Sequence, residues 1–218
     1  MITLCHAVKG GSGTTVVACT RAINSPGPAL LVDFEGDVPL ALGLDRPVRP
    51  GVIDWLASRA PSAHLDDLLV EVTPNCSLLP AFETAADVLT GETERWDQLV
   101  DWLTEWTNDS GGSVVIDAGT TRLPMQFVEQ CPHRWLVTRA CYLSLRRSCH
   151  LRVRPTGVVL IDEPGRALRR TDVESSIGAP VVATLAWDVR IARSVDAGLL
   201  LSGRLPRPLH RAFARVAA

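Results

Sequence analysis

Short apolar runs recur along the chain, and most of them are separated by helical patterns. Four to eight consecutive apolar residues between turn residues are typical of a strand that is buried on both faces. Such runs predict strands at residues 1–8, 29–32, 76–79, 114–116, 134–137, 157–161 and 181–185. Residues 68–72 fit either a strand or the end of a helix.

Helices are predicted where apolar side chains recur on one helical face. Residues 14–24, closed by a Ser-Pro-Gly-Pro turn, residues 51–58 and residues 189–197 follow this pattern. The clearest helix covers residues 92–106, with Trp96, Leu99, Leu103 and Trp106 at i, i+3, i+7 and i+10. Trp102 lies off this stripe, so the pattern allows it to be exposed.

Strands that alternate with helices predict a mostly parallel sheet covered by helices on both faces. A length of 218 residues fits one domain with a sizeable core. We therefore expect a single doubly wound α/β domain over residues 1–218. The last 14 residues, 205–218, form either a packed terminal helix or a tail with arginines around an apolar stripe.

The cysteines and histidines narrow the class of protein. Six cysteines are scattered without a CxxC pair or a preceding secretory signal, which indicates reduced thiols and a cytoplasmic location. The five histidines pair with no cysteine at zinc-finger spacing. No apolar run is long enough to span a membrane.

The charges are distributed unevenly. Residues 1–108 carry 6 basic and 15 acidic side chains, whereas residues 109–218 carry 16 and 9. The basic half either presents a face to an anionic partner, such as non-specifically bound DNA, or shares one mixed surface with the acidic half. Seven arginines cluster around the strand at 157–161: Arg146, Arg147, Arg152, Arg154, Arg166, Arg169 and Arg170.

The only lysine of the chain, Lys9, opens a glycine-rich stretch between the first strand and the first helix. Such a loop presents backbone N–H groups to an anion, and the helix dipole favours negative charge there. The stretch Val-Lys-Gly-Gly-Ser-Gly-Thr-Thr, residues 8–15, fails the common phosphate-loop pattern G-x-x-x-x-G-K-[ST]. A glycine-rich turn with a purely structural role is the alternative.

The stretch nevertheless resembles the deviant Walker A motif of the ParA/MinD family of P-loop ATPases. Lys9 matches the signature lysine, and Thr15 matches the hydroxyl that binds magnesium. Thr14 departs from the motif because the family has a second lysine there. The resemblance implies nucleotide contacts from Gly10, Gly11, Ser12, Gly13, Thr14 and Thr15, and a P-loop NTPase-like fold.

Two acidic segments extend the resemblance. Val-Asp-Phe-Glu-Gly-Asp, residues 32–37, is similar to the family's second-strand motif, and Val-Val-Ile-Asp-Ala-Gly-Thr-Thr, residues 114–121, is similar to Walker B. The family pattern implies catalytic roles for Lys9, Asp33 and Glu35, and a magnesium site at Thr15, Asp33 and Asp117. Glu35 is one methylene longer than the family's usual aspartate. Alternatively, these are ordinary polar residues at strand ends.

Two further segments resemble the parts of the family that bind the base. Asp162 ends a strand whose terminal residue is an asparagine that reads adenine in relatives, and Asp188 follows the last strand. A carboxylate accepts from the exocyclic amine but donates nothing to a ring nitrogen. The resemblance therefore implies that Asp162 and Asp188 bind the nucleotide, with altered base recognition.

The resemblance implies a nucleotide-binding dimer that organises chromosome or plasmid partition, septum placement or the position of a pilus locus. The implied cofactors are ATP or ADP with Mg²⁺. They are expected to bind weakly or not at all, because Thr14 stands where the family has a lysine beside the phosphates. ATP hydrolysis is then slow or absent. The alternative hypothesis is a pseudo-ATPase scaffold that needs no nucleotide. A third hypothesis is a metabolic enzyme of the P-loop superfamily. The expected partners are a second copy of the chain, DNA and an unidentified protein, with a membrane less favoured.

Overall fold

The computed structural model describes residues 1–45, 50–81 and 92–201. The prediction for residues 205–218 lies outside these ranges. Eight strands are present in the described residues: β1 Ile2–His6, β2 Ala29–Asp33, β3 Val70–Thr73, β4 Cys76–Leu79, β5 Ser113–Asp117, β6 His133–Arg139, β7 Gly157–Asp162 and β8 Val181–Ala186. The described helices are α1 Thr14–Ile23, α2 Val38–Leu42, α3 Val52–Ala57, α4 His64–Asp67, α5 Thr93–Ser110, α6 Met125–Gln130, α7 Tyr142–Ser148, α8 Arg170–Ile177 and α9 Val189–Asp196.

All eight strands form one sheet in the order β3-β4-β2-β5-β1-β6-β7-β8. The pairs from β4 to β8 are parallel, and β3 pairs with β4 in the antiparallel direction. Because β1 lies at the centre and the chain winds outward in both directions, the carboxyl ends of β2, β5 and β1 are neighbours. The predicted single doubly wound α/β domain is confirmed.

The two faces of the sheet carry separate cores. On one face, a first core joins α1, α2 and α9 to the sheet. On the other face, a second core joins α3, α5 and α6, and a third joins α7 and α8. Phe34, Trp96 and Phe127 form the aromatic centre of the second core, with ring centroids 4.9–5.9 Å apart. Trp102, for which the helical pattern allowed exposure, is buried in this core, so that interpretation was wrong. The buried face of α5 is wider than the apolar stripe and includes Arg95 and Trp102.

Both edges of the sheet have local irregularities. At one edge, β3 is four residues long, and its register with β4 shifts between Glu71 and Thr73. At the other edge, the α8 side chains Arg170 and Glu174 bond the backbone of Val181 in β8. The Arg170 guanidinium donates to the Val181 carbonyl at 2.8 Å, and the Val181 N–H donates to the Glu174 carboxylate at 2.8 Å.

The end of α2 and the segment after α9 are in contact at two glycines, Gly43 and Gly198. Gly43, the C-cap of α2, has φ +73°, and Gly198 has φ +64°. A Cβ on Gly43 would lie 1.9 Å from the carbonyl oxygen of Gly198. The two backbones therefore touch, and only glycine at position 43 permits this approach.

None of the helices in the described ranges has the length and apolarity needed to cross a bilayer.

Candidate functional site

The glycine-rich loop joins the central strand β1 to α1. Gly11 and Gly13 have φ values of +72° and +89°, a region that favours glycine. The Ser12 hydroxyl donates to the carbonyl of Lys9 at 2.8 Å and closes the turn. The first turn of α1 contains no acidic residue. The helix N-terminus therefore presents its free N–H groups without a carboxylate of its own to neutralise them.

A pocket of about 550 Å³ opens over this loop. Residues 9–16 form one wall, the loops after β2 and β5 contribute Glu35, Asp37, Gly119 and Thr120, and the rest comes from α2 and the end of α9. Every predicted phosphate-loop residue, together with Glu35, lines this pocket. Asp33 and Asp117 lie buried outside its lining, at the ends of β2 and β5.

Lys9 and Thr14 occupy different environments in the loop. Lys9 is half-buried, and its ammonium donates to the carbonyl of Gly10 at 3.3 Å. Thr14, the first residue of α1, lines the pocket but is only 6% exposed. Lys9 is thus the only cationic side chain among the described residues that line the pocket.

Asp33 organises the loop after β2. One carboxylate oxygen accepts from the N–H groups of Glu35 at 2.9 Å and Gly36 at 2.8 Å, and the other accepts from Val38 at 3.2 Å. Burial raises the pKa of Asp33 to about 6, although these three hydrogen bonds oppose the rise. The turn therefore holds Asp33 in place at the end of its strand.

Asp117 lies beside Asp33 in the register of β2 and β5. Its Oδ1 accepts from the Gly119 N–H at 3.1 Å, whereas its buried Oδ2 has no hydrogen-bond partner at good geometry in the described chain. Burial, and then the neighbouring Asp33, raise the pKa of Asp117 to about 7, while the Thr15 hydroxyl beside it acts in the opposite direction.

The unpartnered oxygen of Asp117 fits a hydrated magnesium ion. Mg²⁺ keeps several waters and takes only one or two protein carboxylates together with phosphate oxygens. Asp33, Asp117 and the Thr15 hydroxyl supply oxygens of that kind. No cluster of three or more His, Cys, Asp or Glu side chains suited to a metal occurs in the described ranges.

Glu35 contacts Thr120 and Thr121, the last two residues of the Walker B-like segment, to which the sequence analysis gave no role. Its carboxylate accepts from the N–H of Thr120 at 3.2 and 3.3 Å, from the Thr120 hydroxyl at 3.0 Å and from the Thr121 hydroxyl at 2.5 Å. The only sequence signal was the position of these threonines, directly after the Walker B-like strand. Glu35 thus bridges the loops after β2 and β5.

Solved structures with a similar fold match almost the whole chain. A ParA family ATPase from Chlorobium tepidum is 19% identical, with a TM-score of 0.74 over 97% of this chain and 95% of that one. MinD from Pyrococcus horikoshii, solved with Mg-ADP, is 17% identical, with a TM-score of 0.72 over 99% and 94%. McdA from Cyanothece, solved with ATP, is 16% identical, with a TM-score of 0.72 over 98% and 94%.

The chain has the fold of the ParA and MinD ATPases. The predicted resemblance is confirmed at this level. No family model matches the sequence, and no curated protein matches it.

The two residues predicted to read the base stand apart from the others within this ParA/MinD fold. Asp162 is exposed at the end of β7, and Asp188 is the N-cap of α9. The Asp188 carboxylate accepts from the N–H and the guanidinium of Arg190 at 2.8–3.0 Å. Neither residue lines the pocket over the phosphate loop. The structure therefore does not bring Asp162 and Asp188 together with Lys9 and Glu35.

The metal-free protein is expected to lose stability as the pH rises from about 4 to 7. Folding raises the pKa of Asp33 to about 6 and of Asp117 to about 7 from 3.8. The native state therefore binds protons that the unfolded state has released, and the free energy of unfolding falls by up to about 1.4 kcal/mol per pH unit for each carboxyl.

The variant Asp117→Asn isolates this effect. It should be more stable than the unsubstituted protein at pH 8 and gain nothing at pH 4, when urea unfolding is followed with a chelator present. Asp162→Asn, at an exposed strand end, is the control. An equal gain in the free energy of unfolding from Asp117→Asn at both pH values would contradict the raised pKa of Asp117.

Proposed function

We propose that the chain binds ATP or ADP with Mg²⁺ and acts as a dimeric, ParA/MinD-like spatial organiser with slow or no ATP hydrolysis. The main support for the proposal is the loop before α1, in which Gly11 and Gly13 have positive φ values. This loop lines a pocket close to the buried carboxyls of Asp33 and Asp117. The presence of Mg-ADP in MinD and of ATP in McdA supports this choice of ligand.

Different residues would bind the phosphates and the metal ion. Backbone N–H groups of residues 10–15 and the dipole of α1 would bind the phosphates. Asp33, Asp117 and Thr15 would hold Mg²⁺, which neutralises phosphate charge when it is bound. Lys9, at the rim of the loop, would extend toward the nucleotide of a second copy and link binding to dimerisation.

The slow hydrolysis follows from the charges around the pocket. Its lining contains three carboxylates, Glu35, Asp37 and Asp196, and one ammonium, Lys9. With Thr14 in place of a lysine, no cation of this chain other than Lys9 lines the described pocket to stabilise the charge that builds up during phosphoryl transfer. Binding should therefore depend strongly on Mg²⁺.

The same charges favour a second candidate, a pseudo-ATPase scaffold or binding module that does not need nucleotide. A pocket with more carboxylates than cations repels free polyanions. In that case the fold would be retained for contacts with a second copy or with a protein partner.

Calorimetric titration with ATP, with and without Mg²⁺, should separate the two candidates. We expect binding in the micromolar to millimolar range with Mg²⁺, at least tenfold weaker binding without it, and turnover far below the usual enzymatic range of about 1–1,000 per second. Asp117→Asn, which removes a charge from the metal site, should abolish the magnesium dependence. Absence of heat with Mg-ATP at millimolar concentrations would favour the scaffold.

DNA is the proposed partner of the basic half. All seven clustered arginines are exposed, and Arg166 and Arg170 pair with Glu163 and Glu174. The other five form no salt bridge with a described residue. A contact to about four phosphates would weaken about 100-fold between 50 and 200 mM salt.

A mobility shift tests this contact. The double variant Arg152→Ala, Arg154→Ala should bind DNA more weakly and with a shallower salt dependence. Arg59→Ala, at an exposed position in the acidic half, is the matched control. If no shift occurs at 50 mM salt, DNA is not the partner.

A further inference from the structure

The Glu35 carboxylate accepts hydrogen bonds from three donors, one of which is shared between its two oxygens. A carboxylate offers about four acceptor positions. Oε1 accepts from the N–H and the hydroxyl of Thr120, and Oε2 accepts from the same N–H and from the Thr121 hydroxyl. All four contacts come from the loop after β5. Both oxygens of the Glu35 carboxylate are therefore engaged with the loop after β5.

The packing around Gly119 fixes this arrangement. Gly119 has φ +48°, and a Cβ there would lie 2.3 Å from the Glu35 carboxyl carbon. The Gly119 carbonyl accepts from the N–H of Ala7 at 2.7 Å, directly before the phosphate loop. Glu35 therefore packs against Gly119, which is hydrogen-bonded to Ala7 next to the phosphate loop. Glu35 and Gly119 both line the pocket.

The donors that hold Glu35 are those that bind phosphate oxygens elsewhere in proteins. A backbone N–H and two hydroxyls converge on one anionic group. Glu35, Gly119 and Thr120 all line the same pocket as the phosphate loop.

We propose that the Glu35 carboxylate is a built-in competitor that occupies an anion-binding donor set formed by Thr120 and Thr121, and that a terminal phosphate must displace it. This autoinhibitory contact regulates the proposed nucleotide site and so rests on the proposed function. Displacement frees the Glu35 carboxylate, while the hydrogen bonds to Asp33 still hold the loop after β2.

Anion binding by charge-neutral variants tests the competition. Glu35→Gln keeps the length of the side chain but removes its charge, and Asp37→Asn removes one charge from the same pocket wall, where the Asp37 carboxylate makes no cap hydrogen bond. In calorimetry with magnesium-free tripolyphosphate, Glu35→Gln should tighten binding about tenfold and Asp37→Asn no more than about threefold. Equal gains from the two variants would mean general electrostatics and would overturn the inference.

The donors are tested in the same assay. Adding Thr120→Val to Glu35→Gln should remove most of the gain, because the valine lacks the hydroxyl that the anion would use. A gain that persists in this double variant contradicts the proposed donor set. Tripolyphosphate that binds neither the wild-type protein nor Glu35→Gln overturns the inference as well.

Hydrogen exchange tests the contact without any ligand. Glu35→Gln should accelerate exchange of the Thr120 amide about tenfold and leave the amides of Val115 and Ile116, inside β5, unchanged. Unchanged exchange at Thr120 would show that the contact does not form in solution. Tripolyphosphate binding to Glu35→Gln without any binding of Mg-ATP would instead retain this inference and refute the proposed nucleotide function.

Discussion

Thr14→Lys is expected to tighten the binding of Mg-ATP by about one to two orders of magnitude. A hydrogen bond to a charged group contributes about 1.5–3 kcal/mol, and about 1.4 kcal/mol corresponds to a factor of ten in affinity. Thr14 begins α1 and lines the pocket, and the turn that precedes it is already closed by Gly13. A lysine at position 14 would therefore place its ammonium beside the proposed phosphate site.

A neutral substitution of similar length at position 14 distinguishes the effect of the lysine's charge from the effect of its size. Thr14 is nearly buried, so any longer residue alters packing at the start of α1. Thr14→Met should leave the affinity for Mg-ATP unchanged or lower it, while Thr14→Lys raises it in the same calorimetric experiment. If both variants bind Mg-ATP like the wild-type protein, the pocket does not place phosphate beside position 14, and the nucleotide-free scaffold becomes the better proposal.

Gly43→Ala is expected to lower the free energy of unfolding by about 3–4 kcal/mol. The new methyl group would meet the Gly198 carbonyl oxygen at 1.9 Å, and both partners are backbone rather than flexible side chain. The left-handed φ of +73° adds a penalty for any residue with a Cβ. Strain in this region costs about 1–2 kcal/mol, and overpacking costs about 1–3 kcal/mol more.

Gly111→Ala is the matched control for this prediction. Gly111 also caps a helix with a positive φ, +61°, but a Cβ there would meet nothing within 4 Å. Urea unfolding should show a loss of only about 1–2 kcal/mol for this variant, from backbone strain alone. Similar losses at positions 43 and 111 would show that α2 and α9 do not touch in solution.

The strands and the phosphate loop were predictable because their signals are local. Mostly apolar runs located β1, β2, β4, β5, β6, β7 and β8 to within about two residues, and the glycines of residues 10–13 lie between a strand and a helix, as their spacing indicated. The pairing of Asp33 with Asp117 also follows from local sequence, because parallel strands bring their carboxyl ends to one edge.

Contacts between distant segments were not predictable from the same patterns. The hydrogen bonds from Thr120 and Thr121 to Glu35 join positions more than 80 residues apart, and hydroxyl side chains in a loop carry no periodic signal. The burial of Trp102 depends on how wide a face α5 turns toward the sheet, which only its packing partners decide. Short helices such as α4 and α6 span too few turns for a 3.6-residue period to show.

The two irregular edges of the sheet limit how copies of this protein stack. An unpaired edge strand is a template for adding strands from another chain, and repeated addition produces filaments or aggregates. The register shift in β3 disturbs one template, and the bonds from Arg170 and Glu174 occupy the outward N–H and carbonyl of Val181 on the other. Strand addition at these described positions is therefore disfavoured, and the proposed dimer would use the helical faces or the loops at the carboxyl ends of the strands instead.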